Sequence, residues 1–270
     1  MKVQVKEVLK KLLEQEDTDG DKKITIEDHG PKRFLIQGED GQERVVKGTY
    51  HLSNLLQELV IAMNGGSESL EIDIRKIEEL PVDRISRIIK EYFWVGLTRT
   101  MDENGIAYLI SDTKNESLTS SVLPIYIPHL DKEALEYYRS LEDRLPIRAV
   151  QLPLDISPEY VKSINNAPGI LSLKLESIEG QLKGVPFVVP GGRFNEMFGW
   201  ESYFESVGLI IDGRIDLAKA MADNFQYEIE HYGKILNANR SYYLTRTQPP
   251  FYSSLVREVF EVTKDVEWLR

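Results

Sequence analysis

The 270-residue sequence contains no cysteine, which excludes a disulfide framework, a thiolate metal site and a cysteine nucleophile. It also lacks any apolar run near the ~18 residues that a membrane-spanning helix needs, and the start MKVQVKEVLKK has no apolar export segment. A basic face is missing too, and the net charge of −11 would repel phosphate backbones. These absences favour a cytoplasmic protein without a membrane or nucleic-acid partner, whose ligand is neutral or cationic.

The first fifty residues show the pattern of a small α+β domain. Apolar residues at helical spacing predict an amphipathic helix over 2–15, which leads into the acidic run EDTDGD. The short segments ITIED, KRFLIQ and RVVKGTY are β-branched or alternating and are separated by turn signals, so each is predicted to be a strand. We expect a compact head domain over residues 1–51.

From residue 52 onward the pattern becomes mainly helical. Helical apolar spacing occurs in LSNLLQELVIAM, PVDRISRIIKEYFWVGL, DKEALEYYRSLEDR, SPEYVKSINN, WESYFESVGLII and PFYSSLVREVFEVTKDVEWL. In IDLAKAMADNFQYEIEHYG, Asp216 is predicted as the N-cap and Gly233 as the C-terminal cap, around a stripe of Leu217, Met221, Phe225 and Ile229. The polar stretch 104–130 is predicted to be a long surface connection.

The acidic run has the spacing of a calcium-binding loop. Asp17, Asp19, Asp21 and Asp28 occupy positions 1, 3, 5 and 12 of a twelve-residue loop, and Lys23 at position 7 offers its backbone carbonyl. Lys22 stands at position 6, where this turn favours glycine, and aspartate replaces the usual glutamate at position 12. We predict a Ca²⁺ site in half of an EF-hand joined to a strand; the alternative is a solvated acidic turn.

Two polar loops of the C-terminal third carry residue types that suit a sugar. The first, PGGRFNEMFGWESYF, presents Arg193 and Phe194 from a glycine-rich turn and then alternates aromatic side chains with carboxylates. The second, NANRSYYLTRTQPPF, joins two predicted helices and is rich in side chains that form paired hydrogen bonds. The alternatives are that some of the aromatic residues are core, and that Asn239 and Arg240 only cap backbone groups.

These two stretches, in this order, are similar to the signature stretches of the trehalase family, and the acidic loop with GTYHLSNLLQEL resembles the head of fungal-type neutral trehalases. The resemblance implies a mainly α fold, the first part of an (α/α)6 toroid over 52–270 preceded by the calcium-binding domain. It also implies hydrolysis of α,α-trehalose to two glucose units with inversion.

By resemblance, the glucose-binding residues are Arg193, Phe194, Trp200, Glu201, Asn237, Arg246 and Gln248. Glu201 departs from the family, which usually has aspartate there. Inverting glycosidases need two carboxyl groups ~6.5–9.5 Å apart. Nothing in 249–270 resembles the stretches that supply them, so both catalytic carboxylates are expected downstream of Arg270 and the chain alone is expected to be inactive.

Two alternatives stay open at this point. One is a calcium-dependent regulatory or binding module derived from a trehalase, which would dock on a complementary C-terminal half or a regulatory protein. The other is a different glycosidase with the same toroid, against which the motif from Pro190 to Phe204 argues.

Overall fold

The computed structural model describes residues 1–111 and 122–270. They form two compact units, Met1–Ile88 and Ile89–Arg270. The predicted division after residue 51 falls inside the first unit, between residues of one helix, and as a domain boundary it stays a prediction.

The first unit packs two helices against short antiparallel strand pairs. Its elements are β1 (Lys2–Gln4), α1 (Val5–Glu16), β2 (Arg33–Gln37), β3 (Glu43–Lys47), α2 (Thr49–Asn64), β4 (Ser69–Glu71), α3 (Ile74–Ile77) and α4 (Pro81–Ile88). Strand β1 pairs with β4, and β2 pairs with β3. The apolar stripe of α1 is buried together with Leu52, Leu55 and Leu59 of α2. A helix after residue 52 and the two strands in KRFLIQ and RVVKGTY are therefore confirmed.

Two local predictions in the first unit were wrong. Residues 2–4 form strand β1 before the helix begins at Val5, because Lys2, Val3 and Gln4 pair with β4. The segment ITIED is not a strand, because the backbone N–H of Thr25 bonds to the Asp28 carboxylate and folds the segment into a turn.

The second unit contains a three-stranded parallel sheet that the sequence pattern did not reveal. Its early elements are α5 (Trp94–Gly96), β5 (Thr98–Arg99), α6 (Glu103–Ile110), β6 (Leu123–Ile127), α7 (Lys132–Leu141), β7 (Ile147–Gln151), α8 (Pro158–Ile164) and β8 (Ile170–Leu171), after a π-helical turn at Ile89–Phe93. The sheet order is β7-β6-β8, with α7 and α8 as crossovers. The predicted surface connection over 104–130 was wrong at both ends, because α6 and the buried strand β6 occupy them; 112–121 lies outside the described residues.

A helical layer follows the sheet. The remaining elements are β9 (Leu175–Ile178), β10 (Gln181–Gly184), β11 (Phe187–Val188), α9 (Glu201–Ile211), α10 (Ile215–Tyr232), α11 (Tyr252–Thr263) and α12 (Val266–Leu269). Helix α10 packs against α9, α11 and β11. It ends at Gly233, whose φ of 72° confirms the predicted cap.

Two details of α10 differ from the prediction. Asp216 is not the N-cap, because the helix starts at Ile215 after Arg214; its carboxylate instead pairs with the Arg214 guanidinium, with Nε–Oδ1 at 3.3 Å. Leu217, Met221 and Phe225 are buried as expected, whereas Ile229 is 41% exposed near the helix end. The helical part of the fold class is confirmed, and the toroid stays a prediction.

Candidate functional site

The acidic loop folds around its own aspartates. The carboxylate of Asp17 accepts the backbone N–H groups of Gly20 at 2.7 Å and Lys22 at 2.9 Å. Asp19 accepts the N–H of Asp21 at 3.0 Å, and Asp21 accepts that of Lys23 at 2.8 Å. Lys22 adopts φ +62°, so the chain enters the left-handed region at the position where glycine is usual.

The carboxylates of Asp17, Asp19 and Asp21 each place an oxygen within 4.8 Å of the others. Calcium binds oxygen ligands at about 2.3–2.6 Å, so two ligands of one ion lie at most about 5 Å apart. The spacing of the three carboxylates is therefore compatible with their binding one calcium ion. The Lys23 ammonium lies 3.2 Å from the Asp21 carboxylate and would compete with such an ion.

Asp28, predicted as the ligand at position 12, lies outside that cluster. Its two oxygens accept the backbone N–H groups of Thr18 at 2.8 Å and Thr25 at 2.7 Å. These bonds lower the pKa of Asp28 from 3.8 to about 2. The residue therefore closes the loop onto its own start, and its role as a calcium ligand stays a prediction.

The two polar loops of the second unit lie side by side. An antiparallel bridge joins Phe198 to Ala238, and the Gly199 N–H donates to the carbonyl of Asn237 at 3.1 Å. The backbone N–H of Trp200 donates to the side-chain oxygen Oε1 of Gln248 at 2.7 Å. The Asn237 N–H in turn donates to the carbonyl of Arg246 at 3.1 Å. Four residues predicted to contact the sugar therefore lie close together, namely Trp200 of the first loop and Asn237, Arg246 and Gln248 of the second.

Glycine is required where the loops meet. A Cβ on Gly199 would lie 2.7 Å from the carbonyl oxygen of Leu236 and 2.8 Å from Oε1 of Gln248. A side chain at this position would push the two loops apart. The glycine in FGWES thus serves the close approach of the loops.

The aromatic residues of the first loop are arranged around its exposed end. Phe194 packs edge-on against Phe198 at a ring distance of 5.4 Å, and Tyr203 stacks on Phe251 at 4.9 Å. Trp200 is 40% exposed. Arg193 and Arg246 are exposed as well, each beside an aromatic ring of its own loop. Rings and guanidinium groups are therefore available to a ligand at the surface of this region.

Some carboxylate oxygens near these loops are buried without a hydrogen bond from the described part of the chain to compensate for their loss of water. Burial, and to a smaller extent Glu201, raises the pKa of Glu205 from 4.5 to about 8. Both oxygens of Glu205 and Oε2 of Glu201 are buried without a hydrogen-bond partner among the described residues. On α10, burial raises the pKa of Glu228 to about 8, against the 2.9 Å bond that its Oε2 accepts from the Leu236 N–H.

The sequence patterns did not reveal how the two loops are fastened. Asn239 accepts the Met197 N–H at 2.9 Å and donates to the Leu171 carbonyl, which confirms that it serves backbone groups. Arg240 forms a buried ion pair with Glu196 instead of only capping the backbone. No sequence signal pointed to this pair, because both residues stand in polar loop motifs and their burial appears only in the folded unit.

The match to known proteins covers both units. Residues 66–270 match the family model described as trehalase, and residues 9–37 match the model of the neutral trehalase Ca²⁺ binding domain. The chain belongs to the trehalase family.

Fungal trehalases are among the relatives of this trehalase-family chain. A probable trehalase of Eremothecium gossypii is 47% identical over 95% of the chain and 36% of the relative's length. A cytosolic neutral trehalase of Pyricularia oryzae is 47% identical over 96% of the chain and 37% of its own length. A solved neutral trehalase from Saccharomyces cerevisiae superposes with a TM-score of 0.65 at 40% identity, over 70% of this chain and 37% of that one.

The chain thus spans a little more than a third of the length of these relatives. Within the two described ranges, no helix is both long enough and apolar enough to cross a membrane.

Proposed function

We propose that this chain is the sugar-binding N-terminal portion of a cytosolic trehalose-hydrolysing enzyme. The observation that carries the proposal is the junction of the two loops, where Trp200 and Gln248 are joined by a 2.7 Å hydrogen bond across 48 residues of sequence. The names of the relatives, cytosolic neutral trehalases among them, support the substrate and the compartment.

The functional group of each predicted sugar-binding residue suggests how it would contact glucose. The ring of Trp200 would stack on a C–H face of glucose, and the amide groups of Asn237 and Gln248 would pair with hydroxyl groups. Oε1 of Gln248 already accepts the backbone N–H of Trp200, so Nε2 is the group that would donate to a sugar hydroxyl. Arg193, Phe194, Glu201 and Arg246 complete the proposed glucose-binding set.

We further propose that bond cleavage needs residues outside this chain. Inversion requires a general acid and a general base on opposite faces of the sugar, and the stretches that provide them in the family have no counterpart in 249–270. Residues 52–270 would then form the first part of an (α/α)6 toroid, completed by a C-terminal half.

A glucose-release assay on trehalose tests the missing carboxylates. The purified 270-residue chain is expected to release no glucose above a heat-denatured sample. Measurable turnover would contradict the proposal that the catalytic pair lies elsewhere.

The acidic loop favours a second candidate, a calcium-dependent regulatory or binding module. Asp17, Asp19 and Asp21 would hold Ca²⁺, with the backbone carbonyl of Lys23 and the carboxylate of Asp28 as the remaining predicted ligands. When bound, the ion would neutralise the clustered negative charge and fix the loop. Calorimetry distinguishes the candidates: calcium binding without trehalose binding favours the module, and binding of both favours the sugar-binding portion.

A further inference from the structure

A buried ion pair joins the two loops beneath their exposed residues. Nε of Arg240 lies 2.6 Å from Oε1 of Glu196, and the two side chains are 4% and 3% exposed. Oε2 of Glu196 also accepts the Asn195 N–H at 3.1 Å. Neither residue belongs to the predicted sugar contacts.

The pair stands at one end of a row of contacts between the loops. Next to it, Met197 bonds to the side chain of Asn239; further along, Gly199 bonds to Asn237 and Trp200 to Gln248. Residues adjoining Arg240 are tied to the parallel sheet, because the N–H of Leu171 donates to the Asn239 carbonyl at 2.9 Å. The ion pair thus lies between the parallel sheet and the exposed end of the loops.

The backbone contacts alone specify the register of the loops weakly. They include a single antiparallel bridge between Phe198 and Ala238, and a slip of one residue in such a pairing turns every side chain to the opposite face. A buried charge, by contrast, is strongly unfavourable unless its partner is in place. A slipped register would leave both Glu196 and Arg240 buried without each other.

We propose that Glu196 and Arg240 are positioning residues that lock the register of the two loops, so that Trp200 and Asn237 present their side chains to the same sugar. This inference rests on the proposed sugar site for its consequence, and on the ion pair and the loop contacts for its structural part.

The test uses the full 270-residue chain labelled with 5-fluorotryptophan. Its three tryptophans give three fluorine resonances, and only Trp200 lies at the loops, whereas Trp94 bonds to Asp212 and Trp268 to Asp223. Glu196→Gln and Arg240→Gln are each expected to shift or broaden the Trp200 resonance and to weaken trehalose binding at least tenfold. The Trp94 and Trp268 resonances should keep their positions, which shows that the unit remains folded.

The double variant Glu196→Gln with Arg240→Gln distinguishes a specific effect of the ion pair from a general loss of packing. It removes both charges of the pair together, so we expect its Trp200 resonance and its trehalose affinity to lie closer to those of the wild type than in either single variant. If the changes in resonance and affinity caused by the two single substitutions simply add in the double variant, the proposed positioning role is contradicted. It is also contradicted if the single variants leave the Trp200 resonance unchanged. If a single variant fails to fold, Arg240→Lys replaces it, with a smaller Trp200 shift expected and an unchanged resonance counting against the proposal.

Glu58→Gln is the matched control, because it breaks another buried ion pair, between Glu58 and Arg84 at 3.2 Å in the first unit. It is expected to leave the Trp200 resonance and trehalose binding unchanged. A wild-type chain that does not bind trehalose would contradict the proposed function, while the Trp200 resonance would still decide whether the pair sets the register.

Discussion

The carboxylates of the acidic loop in the first unit and those of the paired loops in the second unit differ in their exposure to solvent and in the sequence distance to their partners. Asp17, Asp19 and Asp21 stand in or near solvent and bond to backbone groups two to five residues away. Glu196 is buried, and its partner Arg240 is 44 residues distant in sequence. The acidic loop is held by local hydrogen bonds, and its carboxylates are accessible to ions in solvent. The ion pair between the paired loops forms only when the second unit folds.

This difference determines what each region does when its charge changes. Exposed carboxylates are stabilised by water and are available to a cation, so substitutions there should alter ion affinity more than stability. Buried carboxylates must be paired or protonated, so substitutions there should alter stability and its dependence on pH.

The largest effect is expected from Glu205, whose raised pKa makes the folded state bind a proton that the unfolded state releases. The group therefore stabilises the fold most below its ordinary pKa of 4.5, and this stability is lost as the pH rises to about 8. The free energy of unfolding should fall by up to ~1.4 kcal/mol per pH unit for such a group.

Glu205→Gln removes the contribution of this group to the pH dependence, whereas Glu228, whose pKa burial also raises to about 8, keeps its own. Urea unfolding between pH 5 and pH 8 is expected to show a shallower slope than in the wild type, with the variant more stable at pH 8. Glu136→Gln on the exposed face of α7 is the control and should keep the wild-type slope. Equal slopes in all three proteins would show that Glu205 is not buried as described.

A methyl group between the paired loops should have the next largest effect. Gly199→Ala places a Cβ within 2.8 Å of Leu236 and Gln248, and overpacking of this kind costs about 1–3 kcal/mol of unfolding free energy. Gly192→Ala is the matched control, because a Cβ there meets nothing within 4 Å. Chemical denaturation that finds both variants equally stable would refute the close approach of the loops.

Calcium binding by the acidic loop should depend on the clustered aspartates. Asp19→Asn removes one anionic ligand but keeps an oxygen for the Asp21 N–H, so calorimetry is expected to show at least tenfold weaker Ca²⁺ binding. Glu27→Gln removes the same charge from the same loop outside the cluster and should change the affinity less than threefold. Equal losses in the two variants would indicate a diffuse effect of charge rather than a site.

The smallest effect is expected at Lys23, whose ammonium pairs with Asp21. Exposed ion pairs are worth about 0.2–1 kcal/mol, so Lys23→Gln should tighten Ca²⁺ binding by up to about fivefold. Lys11→Gln, which breaks an exposed pair with Glu7 on α1, should leave it unchanged. Weaker binding in Lys23→Gln would mean that the lysine supports the loop rather than competing with the ion.

The same contrast explains what the sequence could predict. The acidic loop was recognisable because its aspartates follow one another at fixed spacing, and α10 because its apolar stripe and Gly233 are local signals. Strand β6 was missed because Leu123–Ile127 follows a polar stretch and its partners, β7 and β8, are separated from it in sequence. The two polar loops could be recognised from their motifs, but the Glu196–Arg240 pair depends on a tertiary contact that no local pattern encodes.

The most direct test of the sugar-binding role is calorimetric titration of the 270-residue chain with trehalose, alongside the variant Asn237→Ala. The account predicts saturable binding by the wild type and at least tenfold weaker binding by the variant, because Asn237 stands where the two loops meet. Absence of binding by a folded wild-type chain, or equal binding by the two proteins, would contradict it.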